Sequence, residues 1–186
     1  ELPKDRTKLA RFTCCGKTCH LGCQTDVMNS TMPDDLKGRC HQCRKPFSTT
    51  CEEAVERVRK WVVKGEAWAQ ISMAQCYKHG KNGLKQSYVM SVMLYEKAVA
   101  QGDPDAMDSL ALMYQDGEGV VQSLKKAAEL YTMAVEQGHA IAMFNLALLY
   151  VGGRGVAQSC EKAAELFTMA AEQGQVQAMY NLGNMY

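Results

Sequence analysis

With 186 residues, 47% of them hydrophobic and 22% charged, the chain has the composition of one or two globular domains rather than of a disordered segment. A net charge of +1 excludes nucleic-acid binding driven by bulk basic charge, and no apolar run reaches the ~18 residues that a membrane helix needs. The chain begins at Glu1 and stops at Tyr186 inside a pattern that asks to continue, so it is read as a piece of a longer protein, with residues 1–13 the remnant of an upstream segment.

Cysteine comes first along the chain. Seven of the nine cysteines precede residue 52, and this bunching with an odd total argues against a complete disulfide framework. The run is Cys14-Cys15-Gly-Lys-Thr-Cys19-His20-Leu-Gly-Cys23, then Cys40-His-Gln-Cys43. Zinc takes about four thiolate or imidazole ligands in a tetrahedron. The Cys40-x-x-Cys43 turn delivers two from one loop, and Cys14, Cys15, Cys19, His20 and Cys23 are candidates for the rest. Zn2+ is therefore the expected cofactor. Structural disulfides are the second reading and require an oxidising compartment. A redox Cys-x-x-Cys is the third, but no thioredoxin-like βαβ pattern surrounds it. The expected location is intracellular, in cytoplasm or nucleus.

The stretch Cys40-His-Gln-Cys43-Arg-Lys-Pro46-Phe47 resembles the end of a RING finger, and the preceding run resembles its middle. With Cys15 at the start, His20 and Cys23 fall in later cysteine slots. Lys17 falls in the histidine slot, where a protonated amine cannot ligate. Starting at Cys14 brings Cys19 into register but puts Gly22 where a cysteine belongs. The first Cys-x-x-Cys pair has no counterpart in residues 1–13 and is expected upstream of Glu1. A RING crosses its ligands, so His20 and Cys23 then lack partners, while Cys14 or Cys15 with Cys40 and Cys43 can hold one zinc. Over residues 14–47 the resemblance implies a structural zinc module that binds a ubiquitin-conjugating enzyme. It implies Arg44 as the basic contact with that enzyme; the alternative for Arg44 is a solvated surface charge. Ser30 to Gly38 holds no tryptophan, a further departure from ligases of this type.

A linker and helix follow over residues 48–64. In Cys51-Glu-Glu-Ala-Val-Glu-Arg-Val-Arg-Lys-Trp61-Val-Val, residues Ala54, Val55, Val58, Trp61 and Val62 share one face. Such a helix suits the open end of a solenoid. Cys51, Cys76 and Cys160 read as ordinary buried small residues.

From residue 65 the chain repeats. Gly102 to Tyr114 aligns with Gly138 to Tyr150, an offset of 36 residues. Each is followed by a Gly-x-Gly-Val loop (Gly117 to Val120, Gly153 to Val156) and by Lys-Ala-Ala-Glu-Leu (Lys126 to Leu130, Lys162 to Leu166). A truncated copy opens at Gly174, and a divergent one covers 65–101, its loop Lys78 to Gly83 one residue longer. The predicted units are thus 65–101, 102–137, 138–173 and 174–186. Each full unit predicts two helices. Ala106, Met107, Leu110, Ala111 and Tyr114 stripe the first, with Asp103 as cap and Pro104 in the first turn. Ala127, Leu130, Tyr131 and Ala134 stripe the second, capped by Ser87, Ser123 or Ser159. Gly138 and Gly174 stand where a left-handed C-cap belongs.

These residues resemble the Sel-1-like repeat family, relatives of the tetratricopeptide repeats. The expected fold is mainly α: a solenoid of stacked antiparallel helix pairs, with a small zinc-stabilised module before it. The resemblance implies a protein-interaction scaffold and brings no catalytic residues; the alternative is a ubiquitin ligase whose repeats recruit substrate. No Ser-His-Asp order or phosphate-cradling loop is present, and Gly117-x-Gly and Gly153-x-Gly follow helices rather than strands, so nucleotide binding is a poor reading of them. Met107, Met133, Met143, Met169 and Met179 read as core filler, the alternative being an adaptable binding groove, and Tyr131 and Phe167 read as core too. His79 and His139 read as solvent-facing turn residues. Positions 105/141/177 and 108/144/180 vary between matching copies. They are therefore candidates for the partner surface, with Asp108, Phe144 and Tyr180 as contacts and Phe144→Ala expected to weaken capture with little change in melting; the alternative is that Phe144 and Tyr180 pack against the next repeat.

Overall fold

Glycine and serine set the helix ends in this chain, and the apolar stripes set the pairing. The computed structural model describes residues 9–11, 18–20 and 51–185, and the chain divides into two units, 1–65 and 66–186. In the first unit, β1 (Leu9–Arg11) pairs antiparallel with β2 (Thr18–His20), Ala10 opposite Cys19. This ribbon was not expected from the sequence. Helix α1 (Cys51–Val63) belongs to the same unit. Val55 and Val58 of its apolar face are buried, and the Lys64 ammonium sits 4.2 Å from the centre of the Trp61 ring.

The second unit is seven helices: α2 (Ala67–His79), α3 (Tyr88–Val99), α4 (Pro104–Asp116), α5 (Leu124–Glu136), α6 (Ala140–Gly152), α7 (Cys160–Glu172) and α8 (Val176–Gly183). Packing is densest within the pairs α2–α3, α4–α5 and α6–α7, and consecutive pairs stack through α3–α4, α5–α6 and α7–α8. The predicted caps form. Asp103 accepts from the amides of Asp105 and Ala106, and Ser87, Ser123 and Ser159 each accept from the amide three residues on. The striped small residues are fully buried: Ala106, Ala111, Ala127, Ala134, Ala142, Ala147, Ala163 and Ala170 let the helices approach closely around Tyr131, Met143 and Phe167.

A Gln-Ser dipeptide closes each pair. Gln86, Gln122 and Gln158 donate from their amides to the carbonyls of Lys78, Gln115 and Val151 at 2.7–2.9 Å. The following serine amides donate to Tyr77, Tyr114 and Tyr150. One dipeptide thus ties the loop to the helix before it and caps the helix after it. The two glycines of Gly-x-Gly-Val also divide their labour. Gly117 and Gly153 are left-handed C-caps. Gly119 and Gly155 are left-handed too, but press on the preceding repeat: a Cβ on Gly155 would lie 2.4 Å from the Leu124 backbone, and one on Gly119 would lie 2.6 Å from that of Tyr88.

Three expectations change. Met107 and Met143 are core, but Met133, Met169 and Met179 are exposed, because they lie off the buried stripe or on α8, which has one packed neighbour among the described residues. His139 is not a free turn residue: its Nδ1 caps α6 by accepting from Ala142, and its Nε2 lies 3.0 Å from the Asp105 carboxylate. Cys160 is exposed and Cys76 half-buried, both as free thiols; neither is the buried filler expected.

Candidate functional site

Polar bonds join the first helices of two successive pairs, α4 and α6. Asn145 on α6 donates to the Asp108 carboxylate on α4 at 2.9 Å, and His139 at the start of α6 reaches back to Asp105 on α4. Asp108 is only 7% exposed. Burial pushes its carboxyl above the usual range, opposed by the Asn145 bond. The Asp105 bond raises His139, opposed by burial. Tyr95 passes through from α3, and Ser109 on α4 hydrogen-bonds its hydroxyl. Its counterpart Tyr131 is fully buried with no partner for its hydroxyl, which burial pushes well above the usual phenol range.

Beyond this joint the same face turns apolar. On α6, Ile141, Phe144, Leu148 and Val151 recur at three- and four-residue steps. Ile141, Leu148 and Val151 are 48%, 42% and 38% exposed. The matching residues of α4 are Asp105, Asp108, Leu112 and Gln115. On α8 the matching Tyr180 is 72% exposed.

The three residues singled out as partner contacts therefore lie in different surroundings. Asp108 is withdrawn into the α4–α6 joint. Phe144 is half-buried, its ring 5.7 Å from that of Phe167 on α7. Tyr180 stands open. Ile141, Leu148 and Val151 were missed as a group; the signal available was a four-residue apolar stripe on the one first helix that is hydrophobic nearly all round. The candidates Cys14, Cys15, Cys19, His20, Cys23, Cys40, Cys43 and Arg44 lie outside the residues whose side chains are described; of these, only the backbones of Cys19 and His20, in β2, are described. Among the described residues no His, Cys, Asp and Glu cluster is placed to hold a metal, and no helix is long and apolar enough to cross a membrane.

This arrangement defines an α-solenoid of stacked helix pairs. The chain belongs to the Sel1 repeat family, whose repeat matches residues 69–103, 104–139, 140–175 and 176–186. Among solved structures, a protective antigen of uropathogenic Escherichia coli strains with an SLR fold is 31% identical, with a TM-score of 0.70 over 74% of this chain. A Sel1 repeat protein from Oxalobacter formigenes is 31% identical, with a TM-score of 0.69 over 73%. The chain covers 29% and 55% of those two proteins' lengths. Cysteine rich protein B of Helicobacter pylori, 21% identical with a TM-score of 0.59 over 72% of this chain and 98% of its own, shares the fold. No curated protein matches the chain.

Proposed function

We propose that the chain is a protein-interaction scaffold that holds a partner across its first helices. The observation that carries this is the α6 stripe: three aliphatic side chains left 38–48% exposed in a row, where the neighbouring repeat places polar residues at two of the three positions. Grouped exposed apolar side chains of this kind mark interaction surfaces in soluble proteins. The test is quantitative crosslinking of captured proteins with the parent and with Leu148→Asp. A defined set of partners should fall by about tenfold, equivalent to ~1.4 kcal/mol, with the helical circular dichroism unchanged. An unchanged set would refute the reading.

The cysteine-rich segment supports a second element of the proposal. Six cysteines and two histidines between residues 14 and 43 suit a zinc module held chiefly by Cys40 and Cys43 with Cys14 or Cys15. The Cys40→Ser, Cys43→Ser double variant should lose zinc on purification; equal metal in both proteins would end that proposal. Ligase activity through a ubiquitin-conjugating enzyme is favoured by one residue, Arg44 directly after Cys43, and an in vitro ubiquitination assay comparing Arg44→Ala with the parent decides it.

A further inference from the structure

The repeats part company at the loop between α2 and α3. It is one residue longer than its successors, and Asn82 takes a left-handed conformation there, with φ 58°. Its charge is also reversed. Aligned on the C-cap glycines Gly80 and Gly117, His79 and Lys81 replace Asp116 and Glu118. No Asp or Glu occurs from residue 67 to residue 95, whereas Lys78, Lys81 and Lys85 do.

This loop walls a cavity of about 480 Å³ that also takes in Ser72 of α2 and Ser109 and Leu112 of α4. The lining presents His79, Lys81 and the Ser72 hydroxyl, beside Asn82, whose amide already donates to the Cys76 sulfur, and Ser109, which is bonded to Tyr95; no carboxylate lines it among the described residues. Lys78, also in the lining, is engaged 2.9 Å from Glu118. Cations and neutral donors around a small space suit a carboxylate, whose oxygens accept several charge-assisted bonds at once. The volume falls in the range of a small ligand site and accommodates one or two side chains.

The register says what kind of molecule brings the carboxylate. Ser109 and Leu112 in the cavity are the counterparts of Asn145 and Leu148 on α6, 36 residues on. The cavity therefore opens on the same first-helix face as the apolar stripe. We propose that it receives an acidic side chain of the partner segment whose apolar residues lie on α6. This rests on the scaffold reading and deepens it: the partner is a peptide that carries Asp or Glu some distance from aliphatic residues.

The probe is fluorescein-labelled hexaglutamate, titrated by anisotropy into the protein, with hexaglutamine and inorganic phosphate as comparators. The loop variant His79→Asp, Lys81→Glu copies the charges that the next repeat already carries in the same loop, so its fold should survive; Lys81→Gln is the milder variant if it does not. Hexaglutamate should bind, weaken as salt rises, and lose about tenfold or more in the loop variant. Arg154→Glu, at the matching position of the third repeat, should change nothing. Equal binding by parent and loop variant, or by hexaglutamate and hexaglutamine, would overturn the inference. So would phosphate binding that depends on Lys81 without competition from hexaglutamate, which would make this a small-anion site. If hexaglutamate fails while Leu148→Asp still releases captured partners, the cavity inference falls and the scaffold stands.

Discussion

Gly155→Ala should damage the joint between repeats far more than an ordinary left-handed glycine would. Gly155 has φ +74°, so alanine there carries a conformational cost of ~1–2 kcal/mol. A Cβ would also meet the Leu124 carbonyl carbon and oxygen at 2.4 Å and its Cβ at 2.8 Å. These are mainly backbone atoms at the first residue of α5, so no side chain can swing aside. Overpacking of this kind adds ~1–3 kcal/mol, for a total of ~2–5 kcal/mol. Gly138 supplies the control: its φ is +78° and nothing lies within 4 Å of its notional Cβ, so Gly138→Ala should cost only the conformational ~1–2 kcal/mol. Urea titrations of both variants measure the difference. Because stability in a solenoid is a sum over neighbours, Gly155→Ala should also broaden the transition and raise amide exchange in α6–α8 before α2–α5. Equal midpoints for the two variants, with unchanged cooperativity, would refute the idea that this glycine is there for contact rather than for its φ.

Tyr131→Phe should leave stability unchanged or raise it by up to ~1 kcal/mol, because it removes a buried hydroxyl that has no partner, and the next repeat already has Phe167 there; Tyr95→Phe, which breaks the bond to Ser109, should cost ~1 kcal/mol in the same thermal melts. Phe144→Ala should cost ~1–3 kcal/mol through its lost packing on Phe167, so any fall in partner capture must be judged against the melt. The His139 imidazole is raised above 6.5 by its bond to Asp105, so its contribution is complete below that pH and fades as pH rises through the folded value. The melting temperature should therefore fall across that window and flatten in His139→Asn. A fall on acidification instead would mean that the cap bond from Ala142, which needs an unprotonated Nδ1, outweighs the ion pair.

The helix pairs were legible because the repeat supplies its own controls. An apolar stripe, a capping serine and a C-cap glycine recurring every 36 residues constrain one another, and all three form as expected. What escaped the reading depends on contacts between repeats. Nothing local to Gly119 or Gly155 reveals that a backbone passes within van der Waals reach. The bracing role of Gln86, Gln122 and Gln158 was visible only as a recurring dipeptide whose partner carbonyls lie seven or eight residues back. His139 looked isolated because its partner, Asp105, is 34 residues away.

The same geometry explains why variation between copies is a poor guide to the binding face when used alone. Positions 105 and 108 differ from 141 and 144, but Asp105 and Asp108 are already engaged by His139 and Asn145 of the next repeat. Those four residues form one joint between the repeats. Position 144 varies for another internal reason, since an aromatic ring there meets Phe167. A residue becomes a candidate for a partner only after the contacts to its own neighbours are subtracted. What survives is the aliphatic row of α6 and the basic loop at Lys81, where the charge departs from that of the next repeat. The partner proposed above, engaging both, would be amphipathic along its length, apolar at one end and acidic at the other. That polarity fixes the direction in which it crosses the repeats, with its acidic end toward α2.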